Sequence, residues 1–168
     1  AKQNPVTIRG IVLAGVHSWG DCVLERAVCR PLLPVATKPL ITHALTWLRD
    51  SGIPQATICG NSDTHVLRGR LGDGKPLNLN IDYFEDVMPR GPAGCVRDAA
   101  IDTDADAVVV VDGTLVPRID LPRIVAEHVC TDAAVTMVVA KAAGGAHEPI
   151  GIYIFARRVL AGIPDKGY

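Results

Sequence analysis

The sequence predicts an α/β fold built on a largely parallel sheet. Short β-branched runs alternate with amphipathic segments along the chain, the pattern of strands joined by crossover helices. The run Val108-Val109-Val110-Val111 is apolar at every position, as a central strand covered on both faces requires. No internal repeat or low-complexity tract breaks the alternation.

In chain order, strands are predicted over residues 7–13, 56–59, 80–84, 107–111, 134–140 and 150–155. Helices are predicted over residues 39–50, 63–71, 93–99 and 121–130. The first helix opens on Pro39, whose fixed φ suits a first helical turn. It carries Leu40, Ala44, Leu45 and Leu48 on one face and stops at Ser51-Gly52. Residues 15–30 form the longest segment without periodicity and directly follow the first strand. Ligands of open α/β sheets bind outside the carboxyl ends of the strands, which makes this loop the first place to look for function. A plain surface loop is the alternative, but a loop of this length in a compact fold is uncommon unless it has a role.

The totals exclude several classes. A chain of 168 residues, 48% hydrophobic and 21% charged, can bury one core, so residues 1–168 are expected to form a single domain. A formal charge of −1 gives no electrostatic sign of nucleic acid or an acidic membrane surface as partner. The apolar run at 105–111 is broken by Asp106 and falls short of a bilayer span. The opening Ala1-Lys2-Gln3-Asn4-Pro5 holds no signal-peptide core, so a cytoplasmic location is expected. Cys22, Cys29, Cys59, Cys95 and Cys130 form no C-x-x-C pair and read as small buried hydrophobes kept reduced. His17, His43, His65, His128 and His147 show no metal-ligand spacing. A triad of His17, Ser18 and Asp21 is disfavoured because triad partners come from distant segments. Gly91-Pro92-Ala93-Gly94 lacks the G-K-[ST] ending of a P-loop, and no G-x-G-x-x-G follows the first strand.

Several stretches agree in order with one known pattern. They are Val12-Leu13-Ala14-Gly15, then Arg30-Pro31-Leu32-Leu33-Pro34-Val35 with Lys38-Pro39-Leu40, then Leu71-Gly72-Asp73-Gly74. Met88-Pro89-Arg90-Gly91-Pro92-Ala93-Gly94, Val110-Val111-Asp112-Gly113-Thr114 and Gly151-Ile152-Tyr153-Ile154-Phe155 follow. Together they resemble the sugar-phosphate nucleotidyltransferases (NDP-sugar pyrophosphorylases), the family of glucose-1-phosphate thymidylyltransferase and mannose-1-phosphate guanylyltransferase. The resemblance implies a Rossmann-like three-layer nucleotidyltransferase fold with a mostly parallel mixed sheet. It implies transfer from a nucleoside triphosphate to a sugar 1-phosphate, with Mg²⁺ held by aspartates and basic side chains on the phosphates.

Residue by residue, the resemblance is uneven. The family's GxGTR falls on Val16-His17-Ser18-Trp19-Gly20, where both glycines and the arginine are replaced. Arg30 replaces the lysine of a PK pair, keeping charge without the compact ammonium. Thr114 stands where an aspartate would bind Mg²⁺, leaving Asp112 as the metal candidate or as a solvated turn residue. Only residues 141–150 connect two strands where the family carries a sugar-framing excursion; they read as a hairpin connection, or His147-Glu148-Pro149 as a remnant of an EKP motif. The chain stops at Tyr168, so the domain is expected to be shortened at its C-terminal end relative to the family.

What survives is the base-binding half: Leu13, Ala14, Gly15, Gly91 and Ala93 match positions where the family holds the base through backbone contacts. The alternative is that these small residues only permit tight packing. Two functional expectations follow. One is a catalytically degenerate nucleotidyltransferase-like domain that binds a nucleoside triphosphate or sugar nucleotide and acts as a regulatory or scaffold subunit in a homo- or hetero-oligomer. The other is an active enzyme in which Arg26 and Arg30 neutralise phosphates and Asp112 holds Mg²⁺. A third, a structural module that binds no nucleotide, would use Trp19 and its loop as a protein interface.

Overall fold

A computed structural model describes residues 6–15, 23–87 and 91–164, with the backbone alone at Glu25 and Arg26. The expectations on Val16-His17-Ser18-Trp19-Gly20, Asp21, Cys22, Met88-Pro89-Arg90 and the last four residues lie outside the described residues, as does the side chain of Arg26.

Eight strands and five helices are described: β1 (Ile8–Leu13), β2 (Pro34–Val35), β3 (Lys38–Pro39), α1 (Leu40–Asp50), β4 (Gln55–Gly60), α2 (Thr64–Leu71), β5 (Asn80–Glu85), α3 (Gly91–Ala100), β6 (Ala107–Asp112), α4 (Leu121–Cys130), β7 (Val135–Lys141), β8 (His147–Ala156) and α5 (Arg157–Leu160). Six strands form one sheet in the order β5-β4-β1-β6-β8-β7, and β2 and β3 make a separate small ribbon. β5, β4, β1 and β6 run parallel, whereas β8 is antiparallel to both of its neighbours.

The alternation of side chains along each strand divides the core in two. Val12, Ile58, Val109 and Val111 face α1, α2 and α4, which contribute Ile41, Leu45, Leu48, Leu67 and Leu121. Ile11, Leu13, Val108 and Val110 face the other way, against Cys95, Val96 and Ala100 of α3 and Leu160 of α5. This gives the three layers. Their handedness follows from the route: β1 to β4 to β5 moves outward with right-handed crossovers that put α1 and α2 on one face. The return from β5 to β6 reverses direction, so the same handedness puts α3 on the other.

All ten long elements fall where the sequence predicts them, within a few residues. The largest difference is β8, which begins at His147 rather than at 150. His147-Glu148-Pro149 has no strand propensity, but pairing with Lys141, Ala140 and Val139 across the hairpin imposes the extended backbone. The connection of residues 141–150 is thus a hairpin, closed by Ala142 N–H donating to Ala146 O at 2.8 Å, with Gly145 at φ +82°. The cysteine expectation needs one correction: Cys59 and Cys95 are buried, Cys29 is half-buried, and Cys130 is exposed because it is the last residue of α4 and turns away from the sheet.

Side chains lock the helices to their surroundings. Asp120 caps α4 by accepting from Arg123 N–H at 3.2 Å. Trp47 Nε1–H donates to Ile119 O at 3.0 Å, tying α1 to the loop before α4. Arg97, buried on α3, pairs with Asp98 at 2.6 Å and donates to Ile163 O at 2.9 Å, so the segment after α5 is fastened to α3.

His128, on α4, is buried, with Nδ1 2.7 Å from Thr136 Oγ1 of β7. Burial, and then the nearby Arg158 cation, hold its pKa below the ordinary value of 6.5, with Asp132 opposing. The unfolded chain therefore takes up a proton that the folded chain resists. Its stability contribution is fully present above pH 6.5 and is lost as pH falls from there toward the folded pKa. The wild type will lose more stability than His128→Gln between about pH 7.5 and about pH 5.5, measured by urea denaturation. Equal losses in the two proteins would remove His128 from the acid sensitivity.

Candidate functional site

The order of the sheet creates a switch point beside β1: the chain leaves it toward β4 and returns to its other side through β6. Two hydrogen bonds extend the ladder past the strand end. Ala14 N–H donates to Cys59 O at 2.7 Å, and Gly113 N–H donates to Leu13 O at 2.8 Å. The loops after β1, β4 and β6 are thereby held at fixed heights.

On the β4 side lies a cleft of about 200 Å³. Its walls are Leu13 at the end of β1 and Gly15 just after it, Cys59 and Gly60 of β4 and Asn61 just after it, Asp86 after β5, and Gly91, Pro92 and Cys95 from α3. Glycine fits the close contact between the first two walls. A Cβ on Gly15 would lie 3.0 Å from Asn61 N, and one on Gly60 only 2.4 Å from Thr64 Oγ1. Thr64 Oγ1–H in turn donates to Asn61 O at 2.6 Å, which fixes the turn that carries Asn61 into the cleft. Asn61 Nδ2 reaches Gly15 O at 3.4 Å, and Asp86 N–H donates to Gly60 O at 2.9 Å. Gly91 adopts φ +79°, the left-handed region that glycine tolerates, as the chain enters α3.

Asn61 and Asp86 supply the polar side chains of the cleft, and no basic side chain lines it among the described residues. Cys59 and Cys95 both line the cleft and are both buried. The neighbouring Cys95 side chain, then burial, push the Cys59 thiol above its ordinary range, and the Asp86 carboxylate adds to this.

The structure thus brings Leu13, Gly15 and Gly91 around one cleft, with Ala14 buried between them and the sheet. Ala93, on the first turn of α3, is exposed and does not line it. Asp112 lies at the end of β6, outside the cleft walls. Its Oδ1 accepts from both Thr114 N–H and Thr114 Oγ1–H at 2.8 Å, the geometry of a turn aspartate. Gly151, at φ +82°, lets β8 pass over it, since a Cβ there would come within 3.2 Å of Asp112 Cβ. Arg30 starts a half-buried 3-10 turn and does not reach the cleft. Asn61 and Asp86 are not among the residues singled out from the sequence. Each follows the end of a parallel strand, and that position is the signal that could have found them.

A model of the nucleotidyl transferase family matches residues 22–152. The chain belongs to that family. It is 28% identical over 130 residues to mannose-1-phosphate guanylyltransferase of Mycobacterium tuberculosis, covering 77% of this chain and 36% of the relative. It is 34% identical over 107 residues to glucose-1-phosphate thymidylyltransferase of the same species, covering 63% of this chain and 37% of the relative. The chain therefore spans little more than a third of the length of these relatives. Among solved structures, a candidate glucose-1-phosphate thymidylyltransferase from Bacillus anthracis, in complex with sucrose, superposes with a TM-score of 0.83 at 19% identity, covering 94% of this chain and 75% of that one. HddC from Yersinia pseudotuberculosis gives 0.77 at 14% identity, covering 95% and 81%. At these identities the likeness is one of fold, and the fold is the Rossmann-like one expected. Among the described residues no helix is long and apolar enough to cross a membrane.

Gly60→Ala will force Thr64 to move and break its bond to Asn61 O, lowering unfolding free energy by about 1–3 kcal/mol. An unchanged urea midpoint would show that the turn accommodates a methyl group freely.

Proposed function

We propose that this chain is a nucleotidyltransferase-fold domain that binds the base and sugar of a nucleoside triphosphate or sugar nucleotide but transfers nucleotidyl groups poorly or not at all. The observation that carries the reading is the character of the cleft. It is lined by Leu13 and by Gly15, Gly60 and Gly91, which have no side chain to cover their main chain, with Asn61 and Asp86 as polar groups and no cation among its described lining. Such a surface suits a planar, hydrogen-bonding base better than a triphosphate, whose developing charge needs cations placed against it. Leu13, Ala14, Gly15 and Gly91 are the proposed nucleotide-binding residues, with Ala93 shaping the entry of α3. Backbone recognition of this kind survives side-chain replacement, which fits a family member whose GxGTR positions and Mg²⁺ aspartate are changed. A regulatory or scaffold role in an oligomer is consistent with that loss.

The alternative is an active enzyme converting a nucleoside triphosphate and a sugar 1-phosphate to an NDP-sugar and pyrophosphate, the activity that the names of its relatives describe. The half-buried carboxylate of Asp112 at the switch point favours it. A carboxylate is the kind of hard oxygen ligand that Mg²⁺ takes, and this reading assigns Arg26 and Arg30 to the phosphates. Against it stands the engagement of Asp112 Oδ1 by Thr114.

Calorimetric titration with ATP, GTP, UTP and dTTP, each with and without Mg²⁺, separates the two. The degenerate reading expects weak binding that Mg²⁺ does not strengthen and no NDP-sugar product. Binding strengthened tenfold or more by Mg²⁺ and abolished turnover in Asp112→Asn would establish the active reading instead, a change of about 1.4 kcal/mol in affinity.

A further inference from the structure

Two polar side chains line the cleft, and they differ in what they leave to a ligand. Asn61 is engaged by its own turn: Oδ1 accepts from Asp63 N–H at 3.1 Å, and Nδ2 reaches Gly15 O at 3.4 Å. Asp86 is held only by its main chain, whose N–H donates to Gly60 O at 2.9 Å and so fixes the residue beside the end of β4. Its half-buried carboxylate takes no hydrogen bond or ion pair among the described residues. The side-chain chemistry on offer to a ligand is therefore, beyond one amide hydrogen of Asn61, a pair of acceptor oxygens.

The cleft measures about 200 Å³, below the roughly 300–1,000 Å³ of sites that enclose a whole drug-sized ligand, so it suits one end of a nucleotide. Leu13, Pro92 and Cys95 supply apolar surface for a flat ring. A carboxylate repels phosphate, so the base is the end that meets Asp86.

The bases differ in what their edges present to a carboxylate. An ionised carboxylate only accepts, and using both of its oxygens takes two donors side by side. Among the common bases guanine has such a pair, N1–H and N2–H. Adenine sets its N6–H beside a ring nitrogen that accepts, and cytosine sets its N4–H beside N3. Uracil and thymine place N3–H between two carbonyl oxygens. In each of these a lone pair of the base faces the second carboxylate oxygen, and two acceptors left facing each other out of water cost more than a missing bond.

We propose that Asp86 makes the cleft a guanine site: its two carboxylate oxygens accept from N1–H and N2–H of a guanine nucleotide, and the same oxygens turn the other bases away. This rests on the reading of the cleft as a base site and adds which base it takes.

The test is calorimetric titration of the full chain, wild type and Asp86→Asn, with GTP, ITP, XTP, ATP, UTP and dTTP. ITP lacks the 2-amino group of GTP, and XTP carries an oxygen in its place. The wild type should bind GTP more tightly than each of the others by about tenfold or more. In Asp86→Asn the side chain offers one acceptor and one donor, which match N1–H and the C2 carbonyl of xanthine. The variant should lose about tenfold or more in GTP affinity and bind XTP more tightly than GTP, an inversion that a damaged fold does not produce. Wild-type preference for ATP, UTP or dTTP, equal binding of GTP and ITP, or a folded Asp86→Asn chain that still favours GTP over XTP would each overturn the guanine assignment and leave the base-binding reading standing. Binding of none of the six by the wild type would overturn both. The wild-type series alone decides the base, so the outcome does not depend on the variant folding.

Discussion

The carboxyl end of β1 is gripped from both sides, and the arrangement of the site depends on that grip. β1 is paired along its length to β6 and over Gly10–Leu13 to β4, both in parallel. Beyond the strand, one bond to Cys59 O and one from Gly113 N–H carry the pairing into the loops. Loop backbone that would otherwise wander is thus positioned by the same forces that hold the sheet. The cost is steric: three chain segments converge within van der Waals contact, and Gly15, Gly60 and Gly113 are where side chains have been removed to permit it.

Charge is distributed unevenly around this convergence. The described cleft walls carry one carboxylate and one amide, while Arg30 lies in a separate turn and Asp112 is engaged by its own loop. Elsewhere, cations are tied to structural work. Arg9 spans three strands by pairing with Thr57 and Asp82, Arg158 clasps the turn at Asp132, and Arg97 fastens the segment after α5. The described lining of the cleft is thus of glycine, apolar and uncharged polar residues with the single carboxylate of Asp86.

The layered fold could be read from the sequence because its signals are local and repeated. The four consecutive valines of β6 need cover on both faces, and the spacing of Leu40, Ala44, Leu45 and Leu48 permits only a helix with one buried stripe. Elements of two to four residues, β2, β3 and α5, escaped because no periodicity can be seen over so short a stretch, and His147–Pro149 escaped because pairing overrode its propensity. The site was legible in part. Leu13, Gly15 and Gly91 are marked by motif and by position, but the meeting of Asn61, Asp86, Cys59 and Cys95 depends on strand order. A sequence read in one dimension does not state which strand ends become neighbours.

At the far side of the sheet, Val135, Met137 and Val139 project from β7 with 38–49% of their surface in solvent. No charge interrupts the strand before Lys141, and no described strand pairs with its outer edge. Natural sheets blunt such borders with lysine, proline or a covering helix, because an apolar, open rung accepts any extended peptide that drifts against it. The two borders of the sheet therefore differ in kind: β5 ends it beside the cleft with Asn80, Asp82 and Glu85 in its sequence, and β7 ends it with an apolar run.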